Sequence, residues 1–414
     1  MQIRRKGLAL LLATALTVLA GCGGKTTTDQ VTTITFWHGM DPASEHGKVL
    51  AGLITQFEKA HPTIKVEATF KGSYGDLEKG LVSAMGAKQP PTVAQVTDSI
   101  FGKMAGNSAL LPLELPAAER SDFPEALLKL TTVGDKLYGL PFNRSLIIQI
   151  YNKKLIDKAP TTWDEFAAAA KTATNTTDKR YGGGFEANVY QFGTNFMQTG
   201  GKWLADDGKS VTFNSPEGVT SLEWMEKLVK EGSIYTPKDS KDYLSNVFND
   251  GRVAIAITTS ASLAFIKPKN GDPWDAAPLY AGPANASVPL AGANLVIMSG
   301  TPSAQQKAAT EFLLWMTGKE ATLTWAMGKT GYAPIRKSAL ADPKWQEFVK
   351  ANPVWGVLGG NVMENATIQP TITQWSTIQP EITKAVEKVM LGKADAKTAL
   401  DEAAATANEL LKKN

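Results

Sequence analysis

The chain has 414 residues, of which 43% are hydrophobic, 20% charged and 8% aromatic, with 36 Gly and 22 Pro. That length predicts two or three domains, and the composition excludes a collagen-like, disordered or many-span membrane chain. The formal charge of +3 comes wholly from Arg4, Arg5 and Lys6; beyond them acids and bases balance, so no global field attracts nucleic acid.

A single cysteine, Cys22, excludes an internal disulfide framework and a multi-cysteine metal site. The three histidines, His38, His46 and His61, fit no HExxH spacing, so neither a metal nor another cofactor is expected.

The N-terminus is basic, and Leu8–Ala20 is apolar except for Thr14 and Thr17. That run is shorter than the ~20 residues a spanning helix needs, and it has the form of a secretory signal. Leu19-Ala20-Gly21-Cys22 resembles a bacterial lipoprotein signal, which implies cleavage after residue 21 and lipidation of Cys22. Residues 22–30, rich in Gly and Thr, suit a flexible tether. The expected location is extracytoplasmic, on a membrane through a lipid anchor.

From residue 31 short β-type runs alternate with amphipathic stretches. Ile34–Trp37 reads as a strand, and Val49, Leu50, Leu53, Ile54 and Phe57 have helical spacing within residues 45–60. Ile64–Phe70 is a strand, Leu77–Met85 a helix and Thr92–Val96 a strand, an order that points to an α/β layer. Leu146–Tyr151 is a strong β run; Thr162 and Glu165 form a capping box for an Ala-rich helix. Pro216 starts another helix. Val253–Thr258 and Asn294–Met298 are strands, Thr301-Pro302 opens a helix ended by Gly318, and Ile382–Leu411 is helical. There is no internal repeat.

Gly208-Lys209-Ser210 and Gly328-Lys329-Thr330 end like phosphate loops, but Trp203 and Leu323 stand where the upstream glycine is needed. Gly182–Gly184 is no dinucleotide fingerprint, and no GxSxG elbow exists. Asp206-Asp207 reads as a solvated turn rather than a glycosidase pair. Trp163, Trp224, Trp315 and Trp325 fall on helical patterns and are expected in the core. Trp37, Trp203, Trp274, Trp355 and Trp375 fall at strand ends or in loops, where an aromatic face can stack on a sugar.

Thr35-Phe36-Trp37-His38-Gly39-Met40 and Phe70-Lys71-Gly72-Ser73-Tyr74 resemble the extracellular solute-binding proteins of carbohydrate-type ABC importers, closest to the glycerol-3-phosphate-binding subgroup. Gln95-Val96-Thr97-Asp98, Pro141–Ser145, Tyr151-Asn152-Lys153, Gly292–Leu295 and Gly331–Ile335 continue the likeness in order. The resemblance implies an α/β, two-lobed periplasmic-binding-protein fold (type II) with the ligand in the cleft between lobes. Lobe one is expected at 31–141 and 274–333, and lobe two at 142–273 and 334–414. The family's contacts fall on Tyr74, Asp98, Ser145, Thr259 (with Ser260 as the neighbouring choice), Gly292 and Tyr332, and Trp37 is a further candidate. Two positions depart from the subgroup. Thr373 stands where its phosphate-holding arginine lies, and its stacking tryptophan is missing, with Phe185 and Tyr190 the nearest aromatics. Arg144 is the candidate replacement for the lost charge. Threonine offers neither charge nor a bidentate fork, so a neutral glycoside is favoured over a phosphate ester.

The expected function is capture of a polar carbohydrate or polyol by a lipid-anchored monomer, which passes it to the transmembrane subunits of an ABC permease without chemistry. The alternatives are a binder of glycerol 3-phosphate or a glycerophosphodiester, a secreted glycoside hydrolase, and a surface interaction protein without a small ligand.

Overall fold

Residues 33–38 alternate buried and half-buried positions, as in a strand with one face fully covered, whereas Val93–Val96 are buried in succession, as in a strand covered on both faces. In a computed structural model, which describes residues 31–237, 242–359 and 366–413, β1 (Thr32–His38) leads into α1 (Glu45–Ala60), then β2 (Ile64–Phe70) and α2 (Tyr74–Gly86). The Ser44 hydroxyl caps α1 by accepting from the Gly47 amide, and Leu50, Leu53, Ile54 and Phe57 form its buried stripe. The second helix begins three residues earlier than its apolar pattern indicates, because Ser73 and Asp76 form a reciprocal capping box.

Next come β3 (Val93–Thr97) and α3 (Asp98–Gly106), then the 13-residue β4 (Leu140–Asn152) and α4 (Trp163–Ala173). Short β5 (Tyr181–Gly184), α5 (Val189–Gln198), α6 (Pro216–Lys230) and β6 (Ile234–Tyr235) follow. The chain continues through β7 (Val253–Thr259), β8 (Trp274–Pro278), β9 (Val288–Ile297), α7 (Ser303–Met316), α8 (Lys319–Met327) and β10 (Ala366–Thr367). The helical C-terminal stretch consists of two helices, α9 (Trp375–Met390) and α10 (Ala396–Leu411). Gly392, at φ +67°, makes the turn between them.

One ten-stranded mixed sheet runs β2-β1-β3-β9-β4-β7-β5-β6, with β8 beside β4 and β10 beside β9. The long β4 links its halves. Residues 140–146 pair antiparallel with β9, and residues 147–151 pair antiparallel with β7. In the first half Val93, Leu295 and Ile297 join one hydrophobic cluster, whereas Ala94, Val96, Val296 and Met298 join another on the opposite face. A third cluster holds α4, α5, α6, α9 and α10 over the second half, with Phe166, Phe192, Met225, Ile382 and Leu400 fully buried.

Two later segments tie the halves of the sheet together. Strand β8 pairs with residues 148–152 of β4, so the chain is still in the second half of the sheet after residue 274. Ile335, Trp345, Trp355 and Leu358 pack into a cluster that holds β1 and α1 together with Leu244, Val253 and Leu263 from the second half. Pairing partners far along the chain decide both points, and local pattern carries no trace of them.

His38, at the end of β1, is 7% exposed and accepts a hydrogen bond from the Met40 amide at Nδ1 (3.2 Å). Burial lowers its pKa to about 4. The unfolded chain therefore takes up a proton near pH 6.5 that the folded chain refuses. This contribution to stability is complete above pH 6.5 and is lost as the pH falls toward 4, by roughly 3 kcal/mol in all. An NMR titration is expected to find the His38 ring neutral down to pH 5; titration near 6.5 would contradict this.

Candidate functional site

Parallel β1 and β3 end at the same edge of the sheet, the edge at which open α/β sheets hold ligands. Trp37 stands near the end of β1, and Asp98 opens α3 directly after β3. The capping box of Ser73 places Tyr74 as the first residue of α2. The Tyr74 hydroxyl accepts from Asn143 Nδ2 (2.8 Å) and Gln95 Nε2 (3.3 Å), while Gln95 Nε2 also donates to Asn143 Oδ1 (2.9 Å). Gln95 Oε1 in turn accepts from the Gly39 amide at 2.9 Å, tying the loop after β1 to the same network.

Tyr332 joins this group from a distant segment. It is 6% exposed and stacks on Trp325, with ring centroids 5.8 Å apart. His46 lies against it at 5.3 Å, and His46 Nε2 donates to the Thr330 carbonyl (2.6 Å). Burial raises the pKa of both phenols. For Tyr74 the neighbouring Tyr332 adds to that, whereas Asn143 and Tyr74 oppose it for Tyr332. Both phenols are neutral donors and acceptors across the physiological range.

Asp98 and Arg144 meet. Arg144 is fully buried, and its NH1 donates to Asp98 Oδ2 at 2.5 Å. Its NH2 donates to Asn294 Oδ1, and Asn294 Nδ2 donates to Asp98 Oδ1 (3.0 Å), closing a triangle. The cation expected to stand free in the cleft is consumed by this carboxylate, which itself presents no unpaired charge. Ser145 is 3% exposed and donates to the Ala291 carbonyl (3.3 Å). Gly292, at φ +151°, sits opposite Arg144 in the β4–β9 register, and a Cβ there would come within 1.9 Å of the Asn143 carbonyl oxygen. Its role is close backbone approach.

A cavity of about 150 Å³ opens on the second half of the sheet, lined by Glu186, Asn188, Tyr190, Gln191, Thr259 and Ala291 among others. Thr259 is among the residues that line it. Its neighbour Ser260 is fully buried, donating to the Gly331 carbonyl (2.7 Å) and accepting from the Leu146 amide (3.1 Å), so it clasps the crossing segments. Of the two aromatics near the missing tryptophan, Phe185 is sealed in the core and Tyr190 faces the cavity. The Tyr190 phenol is pushed up to about 12, first by burial and then by the carboxylates of Asp98 and Glu78. Burial also raises the Glu186 carboxyl, although its side chain still reaches solvent, and Asn188 Nδ2 donates to it (2.5 Å). A larger hollow of about 540 Å³, bordered by Lys88, Asn107, Thr301 and Gln305, contains none of the predicted residues.

Other candidate residues lie away from the cavity. Thr373 packs on Gly106, where an added Cβ would lie 2.1 Å from its Oγ1. Gly106 lies eight residues, roughly 12 Å, along α3 from Asp98. Thr373 also does not line the cavity. Trp203, Trp355 and Trp375 are buried in the hydrophobic clusters; only Trp37 and Trp274 of the five loop tryptophans are half-buried. Lys71 holds its ammonium over the Trp37 ring at 3.6 Å. Asp206 and Asp207 lie in an exposed turn. Cys22 and residues 1–30 lie outside the described residues. Glu186, Asn188 and Gln191, which line the cavity, were not anticipated. Their signal is the Gly182–Gly184 run followed by Asn188, whose side chain caps α5 and fixes this turn at the sheet edge.

Residues 52–353 match the bacterial extracellular solute-binding protein family. The sn-glycerol-3-phosphate-binding periplasmic protein UgpB of Shigella dysenteriae is 27% identical over 92% of this chain and 93% of its own. A solute-binding protein of Thermotoga lettingae solved with α-D-tagatose superposes with a TM-score of 0.79 at 25% identity, covering 92% of this chain and 99% of that one. The Listeria monocytogenes protein Lmo0181, solved with cycloalternan, gives 0.81 at 21% identity and covers 92% and 99%. These relatives bind and deliver substrates to ABC importers and are not enzymes, which removes the glycoside hydrolase alternative. The chain belongs to the bacterial extracellular solute-binding protein family and has its two-lobed periplasmic-binding-protein fold.

Proposed function

We propose that this protein captures a polyhydroxylated carbohydrate or polyol without a phosphate group and passes it to an ABC permease, no bond being made or broken. The observation that carries the reading is the 2.5 Å pair between Arg144 and Asp98. A phosphate ester needs charged, preferably bidentate donors, and the buried guanidinium here is already committed. No basic side chain lines the cavity. Tyr74, Tyr332, Thr259 and the backbone around Gly292 supply neutral hydrogen-bonding groups, and Tyr190 takes the place of the absent tryptophan as the stacking face. The relative solved with α-D-tagatose supports the ligand class. The protein works as a monomer held to the membrane by lipid on Cys22. A micromolar ligand corresponds to about 8 kcal/mol, within reach of such contacts.

Calorimetric titration of residues 23–414 with neutral mono- and disaccharides, polyols, glycerophosphocholine and glycerol 3-phosphate tests this. A neutral sugar or polyol is expected to bind at least a hundredfold more tightly than glycerol 3-phosphate, and Tyr190→Ala to weaken it about tenfold. Tight binding of glycerol 3-phosphate would reverse the assignment.

A further inference from the structure

The two halves of the molecule also meet away from the crossing strands. Helix α3 belongs to the first half, where Phe101, Met104 and Ala105 pack with Val96 and Met298. Residues 371–374 lead into α9, whose Trp375, Ile378 and Ile382 are buried in the cluster over the second half. This lead-in lies across α3. A Cβ on Gly102 would stand 2.5 Å from the Thr371 carbonyl oxygen and 2.7 Å from that of Ile372, and one on Gly106 would stand 2.1 Å from Thr373 Oγ1. Gly102 and Gly106 are four residues apart and so share one face of the helix. Gly102 is also about one turn, roughly 6 Å, from Asp98 at the helix start.

The two junctions differ in what holds them. Strand β4 is bonded to β9 and then to β7, and Ser260 clasps Leu146 and Gly331. At α3 the fit is one of shape, and the hydrogen bond the lead-in gives to the first half is long, from Thr371 Oγ1 to the Thr132 carbonyl (3.5 Å). Residues 371–374 are all half-buried, so water can take over their polar groups if they lift, and breaking this contact leaves no buried group unpaired. We propose that residues 371–374 are a strap that lands on the Gly102–Gly106 face when the cleft closes and lifts off it when the cleft opens, with the crossing strands as the hinge. The two glycines are the condition for landing, because any side chain there holds the strap away from α3 and the lobes apart. Thr373, at the position of the subgroup's phosphate-holding arginine, then serves closure rather than the ligand. The inference rests on the two-lobed fold and holds whichever solute the cleft takes.

The test is a reversible cross-link in residues 23–414, which contain every described residue and no cysteine of their own. A Cβ at Gly106 would lie 3.2 Å from that of Thr373, close to the ~3.5–4.5 Å that a disulfide spans, so Gly106→Cys/Thr373→Cys is expected to oxidise readily. With no solute present, small-angle scattering should give a smaller radius of gyration for the oxidised form than for the reduced one, because only the reduced form can open. Gly102→Leu should give a larger radius than the wild type at an unchanged urea midpoint. Failure of the folded double variant to cross-link, or equal radii in its two redox forms, overturns the strap. So does a Gly102→Leu protein with the wild-type radius and a lowered midpoint, which is the signature of permanent packing.

Discussion

Gly292→Ala is expected to lower stability by about 3 kcal/mol and to abolish ligand binding. At φ +151° an L side chain is strained, and the added Cβ would stand 1.9 Å from the Asn143 carbonyl oxygen, a backbone atom that cannot swing aside. Positive-φ strain costs roughly 1–3 kcal/mol and overpacking a similar amount. The register between β4 and β9 already shifts between Ala293 and Asn294, so the strand has little slack to absorb the displacement. Moving β9 off β4 also carries Asn143 away from Tyr74, and with it the polar wall of the cleft. Urea unfolding monitored by tryptophan fluorescence measures the first effect and calorimetry the second. A wild-type midpoint with intact binding would refute the close-approach role.

Arg144→Ala is the second large effect, a destabilisation of about 3–5 kcal/mol. Removing one member of a buried pair leaves its partner uncompensated. Asp98 would keep only the Asn294 amide, and Asn294 Oδ1 would lose its donor. The double variant Arg144→Ala/Asp98→Ala is expected to be less destabilised than the two single costs added together, because the orphaned carboxylate is then gone. Additive costs in a double-mutant cycle would mean that the 2.5 Å contact carries no coupling. If Asp98 instead gains importance for binding once Arg144 is removed, the pair's role in excluding anions is supported directly.

Much of the architecture was legible from local pattern. The stripe of α1, the cap at Thr162 and the proline at the start of α6 act within one or two helical turns. The ordered motifs also pointed to Tyr74, Asp98, Gly292 and Tyr332 before any coordinates. The long strand shows where pattern fails. Its apolar half, residues 146–151, was readable, but Pro141, Asn143, Arg144 and Ser145 looked unlike a buried strand. All four are buried because partners from elsewhere satisfy the polar ones: Tyr74 for Asn143, Asp98 for Arg144 and the Ala291 carbonyl for Ser145.

The same physics separates what the sequence by itself determined from what only the tertiary structure decided. Hydrophobic periodicity, caps and turn residues act over a few residues, so they determined the elements, their order and the α/β class. Whether Arg144 faces a ligand or a carboxylate depends on Asp98, 46 residues away, and on Asn294, 150 residues away. The burial of Trp203, Trp355 and Trp375 likewise depends on which helices close over them. A side chain's charge and hydrogen-bonding capacity are local properties, but whether they are spent within the protein or kept for a ligand is decided by contacts that only the folded chain makes.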